Sequence, residues 1–167
     1  MAWSPLRLPQ AARRFSWQPQ CRTRLYSSAL TAMRYMNGDE LAELMKSGKT
    51  PKKDFLVVDV RDDDYAGGNI KGAVNLPSRE FLMNVDGLVR DTKQIPLIIF
   101  HCSLSQVRGP KAARIYSETR QNVLDGNDID HEVVILRDGF SQFQVKYKDD
   151  PALIENWDKD VWASDWS

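Results

Sequence analysis

The amino-acid sequence predicts an α/β domain of three layers, in which helices cover both faces of a central, mostly parallel sheet. The main evidence is three apolar runs that are rich in β-branched residues and lack the alternation of a half-exposed strand. They are FLVVDV at residues 55–60, PLIIF at 96–100 and EVVIL at 132–136. Helical patterns separate these runs, and this alternation is typical of parallel strands joined by right-handed crossovers.

The first half of the domain contains a predicted helix, a polar turn and a short strand. Asn37 opens the sequence Asn-Gly-Asp-Glu, which has the form of a capping box, so a helix is expected there and should end at Gly48. Residues 61–68, after the first apolar run, form a polar turn region. A short strand is then expected at residues 73–76, followed by a helix that Ser78 caps.

Two further helices are predicted after the second and third apolar runs. One covers residues 110–120, because Pro110 is tolerated in the first turn of a helix, where its missing N–H loses no partner. The other covers residues 140–147, after the turn signal Asp-Gly at 138–139. The last segment, residues 151–167, contains three tryptophans, and we expect these to pack onto the domain rather than to bind a partner.

Composition limits the possible partners of this chain of 167 residues. Basic and acidic residues are equal in number, 23 of each, so we expect neither nucleic acid nor a membrane as a partner. No apolar run approaches the ~18 residues that a transmembrane helix needs. The two cysteines, Cys21 and Cys102, do not suffice for a disulfide framework or a thiolate metal site. We expect neither a metal nor a cofactor. We expect a monomer.

The N-terminal segment differs in composition from the rest of the chain. It contains five arginines and several serines but no acidic residue, which is typical of mitochondrial targeting segments. Residues 1–32 are therefore interpreted as a targeting segment or, alternatively, as a disordered basic tail. A mitochondrial location follows from the first interpretation, whereas a translation start near Met33 would predict a cytoplasmic and nuclear protein. The predicted organisation is thus the segment 1–32, an α/β domain at 33–150 and a tryptophan-rich tail at 151–167.

A short loop joins the second apolar run to the following helix and is framed by Cys102 and Arg108. Ligands of parallel α/β sheets bind at the carboxyl ends of the strands, where this loop is expected to lie. A helix N-terminus there offers free N–H groups and a positive field, which suit an anion and favour a cysteine thiolate. We therefore predict that Cys102 is a nucleophile and that Arg108 holds oxygens of a tetrahedral oxyanion. The alternative is a buried structural cysteine beside a surface arginine.

The other residues around this loop are predicted to support the nucleophile or the substrate. Ser105 could stabilise the thiolate through its hydroxyl group. His101 is expected to be buried and to orient the loop, and Asp59 is expected to hold the end of the first long strand by hydrogen bonds. The predicted substrate-binding residues, through amides or side chains, are Ser103, Leu104, Ser105, Gln106, Val107 and Gly109.

These motifs resemble those of known protein families. Residues 57–77 are similar to the first rhodanese signature, and residues 134–140 resemble the second. The run HCSLSQVRGP at 101–110 resembles the active-site loop of the M-phase inducer phosphatases and of the eukaryotic arsenate reductases. The resemblance implies a rhodanese-like domain that forms a phosphocysteine or arsenocysteine intermediate on Cys102. Sulfurtransferases of this fold have a loop that is one residue shorter, which counts against sulfur transfer.

The resemblance implies a protein tyrosine or dual-specificity phosphatase that acts on a phosphoprotein or a small oxyanion. One alternative is an arsenate reductase that uses glutathione or glutaredoxin as co-substrate, and another is a non-catalytic oxyanion-binding module. The cell-cycle phosphatases carry a glutamate directly after the nucleophile and another before the arginine, where this chain has Ser103 and Val107. We therefore expect no loop carboxylate to act as general acid, and we expect aryl phosphates and arsenate to be the easier substrates.

Overall fold

The computed structural model describes residues 33–124 and 130–164. The strands in these ranges are β1 (Arg34–Met36), β2 (Leu56–Asp59), β3 (Asn69–Ile70), β4 (Val74–Asn75), β5 (Leu97–His101), β6 (Glu132–Leu136) and β7 (Ile154–Glu155). The helices are α1 (Gly38–Lys46), α2 (Phe81–Asp91), α3 (Arg108–Leu124), α4 (Gly139–Tyr147) and α5 (Lys159–Ser164). The predicted targeting segment at 1–32 lies outside the described residues. No helix in the described ranges is long and apolar enough to cross a bilayer.

A parallel sheet of five strands forms the centre of the domain, in the order β1-β6-β5-β2-β4. Helices cover both faces, as predicted for a three-layer α/β fold. On one face, Val58 of β2 shares a buried apolar cluster with α2 and α3. On the other face, Val57 shares a second cluster with α1 and α4. The apolar runs lack alternation because every side chain of a central strand is buried on one face or the other.

The ends of the helices agree with the prediction in part. Glu40 Oε2 accepts the Asn37 N–H at 2.7 Å, so the expected capping interaction is present at α1. The prediction that Ser78 caps α2 is wrong, because Glu80 precedes the first residue of that helix and the Ser78 hydroxyl instead donates to Asp62 at 2.6 Å. Helix α3 begins at Arg108, two residues before the predicted start, and thus keeps Pro110 in its first turn.

The segment after α4 returns to the domain and packs against it. Strand β7 pairs antiparallel with β3. Trp162 Nε1 donates to the carbonyl oxygen of Gly67 at 2.7 Å, and Trp157 Nε1 donates to Gln144 Oε1 at 3.0 Å. Two of the three C-terminal tryptophans therefore pack onto the domain as expected, and Trp166 lies outside the described residues.

Candidate active site

The predicted nucleophile lies in the loop between β5 and α3, at the carboxyl end of the sheet. Cys102 directly follows β5 and is 4% exposed. The Ser105 N–H donates to Cys102 Sγ at 3.2 Å, while Ser105 Oγ accepts the Cys102 N–H at 3.4 Å. The backbone of Ser105 has a φ of 52°, in the left-handed region, and this conformation turns its amide toward the sulfur. The hydrogen bond on the sulfur thus comes from the amide, rather than from the Ser105 hydroxyl that the sequence suggested.

Helix α4 holds the first part of the loop in place. The Phe140 N–H donates to the carbonyl oxygen of Cys102 at 2.9 Å, and the Ser141 N–H donates to that of Ser103 at 3.0 Å. Gly139, with a φ of 59°, makes this approach possible, since a Cβ there would lie 2.3 Å from the Cys102 oxygen. The two carbonyl groups next to the nucleophile are therefore bound by α4 and do not face a ligand anion, which they would repel.

A buried ion pair lies at the carboxyl end of β2, directly beside β5. Arg61 donates through Nε and Nη2 to Asp59 Oδ2, at 2.9 and 2.7 Å, and through Nη2 to the Gly68 oxygen at 2.8 Å. The guanidinium also stacks on the Phe140 ring at 4.2 Å. Both charged side chains are almost fully buried. Loss of either one would therefore leave the other as an unpaired charge in the protein interior. The structure thus places Asp59 in the structural position expected from the sequence.

His101, the last residue of β5, is completely buried, as expected. Its Nδ1 lies 3.2 Å from the carbonyl oxygen of Cys102, and its Nε2 lies 3.6 Å from Asp59 Oδ2. Burial lowers the pKa of His101, although the nearby Asp59 carboxylate opposes this effect. A neutral imidazole held against the backbone of the nucleophile suits an orienting role better than that of a general base.

Arg108 is bound by two carboxylates from the polar turn after β2. Its Nη1 donates to Asp64 Oδ1 at 2.7 Å and to Asp62 Oδ2 at 3.1 Å, and its Nη2 donates to Asp64 Oδ2 at 2.5 Å. The Ser103 hydroxyl also donates to Asp64 and lies 3.4 Å from Nη2. The sequence identified residues 61–68 only as a polar turn. Their contact with the loop could have been predicted from one feature: they follow the carboxyl end of β2, the strand next to the one that leads to Cys102.

These contacts perturb the acid–base properties of all three groups. The hydrogen bonds from Arg108 hold the pKa of Asp64 well below its usual range, although partial burial opposes them. Burial also opposes the shift of Asp62, whose pKa is nevertheless lowered by hydrogen bonds from Ser78, the Arg79 amide and Arg108. The pKa of Arg108 is raised further above its ordinary value, mainly by Asp64. In the described part of the chain, no group of three His, Cys, Asp or Glu residues is placed to hold a metal ion.

Comparison with known proteins identifies the protein family of this chain. Residues 37–146 match the rhodanese-like domain family. The chain belongs to this family. It is 36% identical over 140 residues to the dual specificity phosphatase ibp1 of Schizosaccharomyces pombe, a match that covers 75% of this chain and 99% of that protein. It is 33% identical over 150 residues to the CDC25-like phosphatase YCH1 of Saccharomyces cerevisiae, which covers 81% of this chain and 98% of that protein.

A solved structure agrees with this assignment. Ygr203w, described as a yeast protein tyrosine phosphatase of the rhodanese family, superposes with a TM-score of 0.67 at 30% sequence identity. The match covers 80% of this chain and 99% of that chain. The predicted fold, a rhodanese-like domain with a mostly parallel central sheet, is therefore confirmed.

The remaining predicted site residues of this rhodanese-like domain form the outer part of the loop. Leu104 and Val107 are 51% and 71% exposed, and Gln106 is also exposed. Gly109 is buried against the backbone of His101. The side chains of Leu104, Gln106 and Val107 thus face solvent at the rim of the loop.

Proposed function

We propose that this rhodanese-like domain is a cysteine-dependent protein phosphatase of tyrosine or dual specificity. The observation that carries the proposal is the loop itself. It places the buried sulfur of Cys102 against an inward amide and puts Arg108 at the start of α3, as binding of a tetrahedral oxyanion requires. The similarity to phosphatases that match this chain over nearly their whole length supports the same activity. The substrates are accordingly phosphorylated proteins.

The proposed reaction has two steps, both of which occur at the phosphorus atom. The Cys102 thiolate attacks phosphorus, so that an Sγ–P bond forms while the P–O bond to the leaving group breaks. Arg108 and the loop amides would stabilise the charge on the three non-bridging oxygens. A water molecule then attacks phosphorus and breaks the Sγ–P bond, which releases inorganic phosphate and restores the thiolate.

The leaving group determines which phosphorylated residues are favoured. Ser103 and Val107 place no carboxylate within the loop, so the leaving oxygen has no loop acid to protonate it. An aryl oxygen needs less help than an alkyl oxygen, because the phenol of tyrosine has a pKa of about 10. We therefore propose a preference for phosphotyrosine over phosphoserine and phosphothreonine.

Phosphate release from an aryl phosphate and from matched phosphotyrosine and phosphothreonine peptides tests the proposal. Cys102→Ser should abolish turnover, and Arg108→Lys should reduce kcat by on the order of 10²-fold to 10³-fold, because lysine cannot form the bidentate fork. Turnover by the unmodified protein no faster than by Cys102→Ser would refute the proposal. Arsenate consumption with glutathione and glutaredoxin, measured in parallel, would assign the reductase activity instead if it occurred without any phosphate release.

A further inference from the structure

Arg108 is hydrogen-bonded to carboxylates of this chain. Both of its terminal nitrogens donate to carboxylate oxygens, and Asp64 takes one hydrogen bond from each of them. This fork-on-carboxylate arrangement is the one in which a guanidinium binds two oxygens of a phosphate. An incoming oxyanion and the Asp64 carboxylate therefore compete for the same donors.

Asp64 is better placed to compete than its neighbour Asp62. Asp62 is fixed by the Ser78 hydroxyl at 2.6 Å and by the Arg79 N–H at 3.1 Å, and it takes only one hydrogen bond from Arg108. The Asp64 side chain is 40% exposed, while its carbonyl oxygen is held by Arg61 at 3.2 Å. Its carboxylate also accepts hydrogen bonds from the Asp62 N–H at 3.0 Å and from the Ser103 hydroxyl, and solvent can reach it when a ligand takes the Arg108 donors.

We propose that the Asp64 carboxylate competes with the oxyanion of the ligand for Arg108 and thereby weakens the binding of every oxyanion, inorganic phosphate included. This inference rests on the proposed oxyanion chemistry. Any ligand must displace the carboxylate, but a phosphoprotein can offset that loss through contacts at the exposed rim formed by Leu104 and Val107. Inorganic phosphate has no such contacts. Asp64 would therefore limit product inhibition and speed the release of phosphate.

The competing carboxylate remains charged over the whole working range of pH. Arg108 keeps the pKa of Asp64 well below its ordinary value, so the competition does not weaken as the pH decreases toward 5. The alternative role for Asp64 is to orient Arg108 productively for substrate. The two roles predict opposite changes in anion affinity when the carboxylate is removed. Removal of a competitor tightens anion binding, whereas removal of an orienting group weakens it.

Calorimetric titration of the full chain with tungstate and with inorganic phosphate tests the inference without reference to turnover. Asp64→Asn should bind both anions about fivefold more tightly, equivalent to about 1 kcal/mol, which is the upper range for an exposed ion pair. With an aryl phosphate, KM should fall by a similar factor while kcat does not rise. Thermal unfolding would verify that the variant is folded.

Asp63→Asn is the matched control. Asp63 lies in the same turn and carries the same charge, but its side chain is 93% exposed and pairs with Arg79. It should change anion affinity by less than about twofold, because solvent and salt screen its charge. An equal gain in anion affinity in both variants would overturn the inference, since the gain would then come from the loss of a negative charge anywhere in the turn. Unchanged or weaker binding by Asp64→Asn would also overturn it.

Tungstate binding by Arg108→Lys distinguishes failure of the proposed function from failure of this inference. If tungstate binding by the unmodified protein is the same in Arg108→Lys, Arg108 is not the oxyanion clamp and the proposed chemistry fails. The absence of tungstate binding in both the unmodified protein and Asp64→Asn would overturn the function and the inference together. Arg108-dependent binding that Asp64→Asn does not tighten would overturn the inference alone.

Discussion

Substitution of Gly139 by alanine should displace the loop that contains Cys102, although it changes no predicted catalytic residue. Gly139 has a φ of 59° and begins α4, whose next two amides bind the carbonyl groups of Cys102 and Ser103. A Cβ at this position would lie 2.3 Å from one of these oxygens and 2.4 Å from the other. Both are backbone atoms that cannot rotate away, so the helix and the loop must separate.

The size of the effect follows from this geometry. A left-handed conformation costs an alanine roughly 1–2 kcal/mol. Relief of the clash needs a separation of about 1 Å, which weakens the two backbone hydrogen bonds by ~1 kcal/mol or more in total. We therefore expect Gly139→Ala to lose about 2–4 kcal/mol of the free energy of unfolding. Since displacement of a reacting group by 1 Å can cost ~10²-fold, kcat for an aryl phosphate should fall by that order.

Two other glycines separate these contributions in urea unfolding and phosphatase assays. Gly48 has a φ of 80° with no atom within 4 Å of its added Cβ, so Gly48→Ala reports the backbone strain alone, about 1 kcal/mol, with activity unchanged. Gly87 lies within α2 in open space, and Gly87→Ala should stabilise the protein by ~0.5–1 kcal/mol. If Gly139→Ala loses no more stability than Gly48→Ala and keeps its kcat within about twofold, the contact between α4 and the loop does not position the nucleophile.

Three further outcomes are expected. The free energy of unfolding should fall by up to ~1.4 kcal/mol per pH unit below about pH 6.5, because burial lowers the pKa of His101 while the unfolded chain takes up the proton. Urea titrations between about pH 5 and pH 8 measure this slope, and its persistence in His101→Asn would contradict the assignment. Arg61→Met should lower the free energy of unfolding by ~3–5 kcal/mol, because it leaves the Asp59 carboxylate buried and unpaired. The double variant with Asp59→Asn should recover part of that loss, and an additive loss would refute the coupling. Fluorescent fusions of the full chain should enter mitochondria, whereas a chain that starts at Met33 should not, and identical distributions would exclude a targeting role for the N-terminal segment.

The parts of the fold that sequence reasoning predicted are those with long, regular patterns. The runs at 55–60, 96–100 and 132–136 became β2, β5 and β6 because each is buried on both faces by helices that were themselves recognisable. Strands β1, β3 and β7 were not predicted. Each has two or three residues, which is too short for any periodicity, and each pairs with a strand far away in the chain.

The site shows the same division between local and distant information. Cys102 and Arg108 could be placed from their positions at a strand end and a helix start, which are local features of the chain. The pairing of Arg108 with Asp64 joins residues 44 positions apart, and nothing in a run of three aspartates indicates which carboxylate faces the loop. The contact of Ser105 with the sulfur depends on a positive φ, which cannot be predicted from the presence of a serine in the sequence.

The segment that matches the family is shorter than the segment that folds. The match covers residues 37–146, yet β1 pairs with β6 before the match begins, and Leu153 and Ile154 are buried after it ends. Trp162 then packs on the Phe140 ring with 5.9 Å between the ring centres. A protein expressed with the boundaries of the match would present an unpaired edge at β6 and fresh apolar surface over α4, both of which promote aggregation. Expression boundaries chosen before Arg34 and after Ser164 keep both surfaces covered.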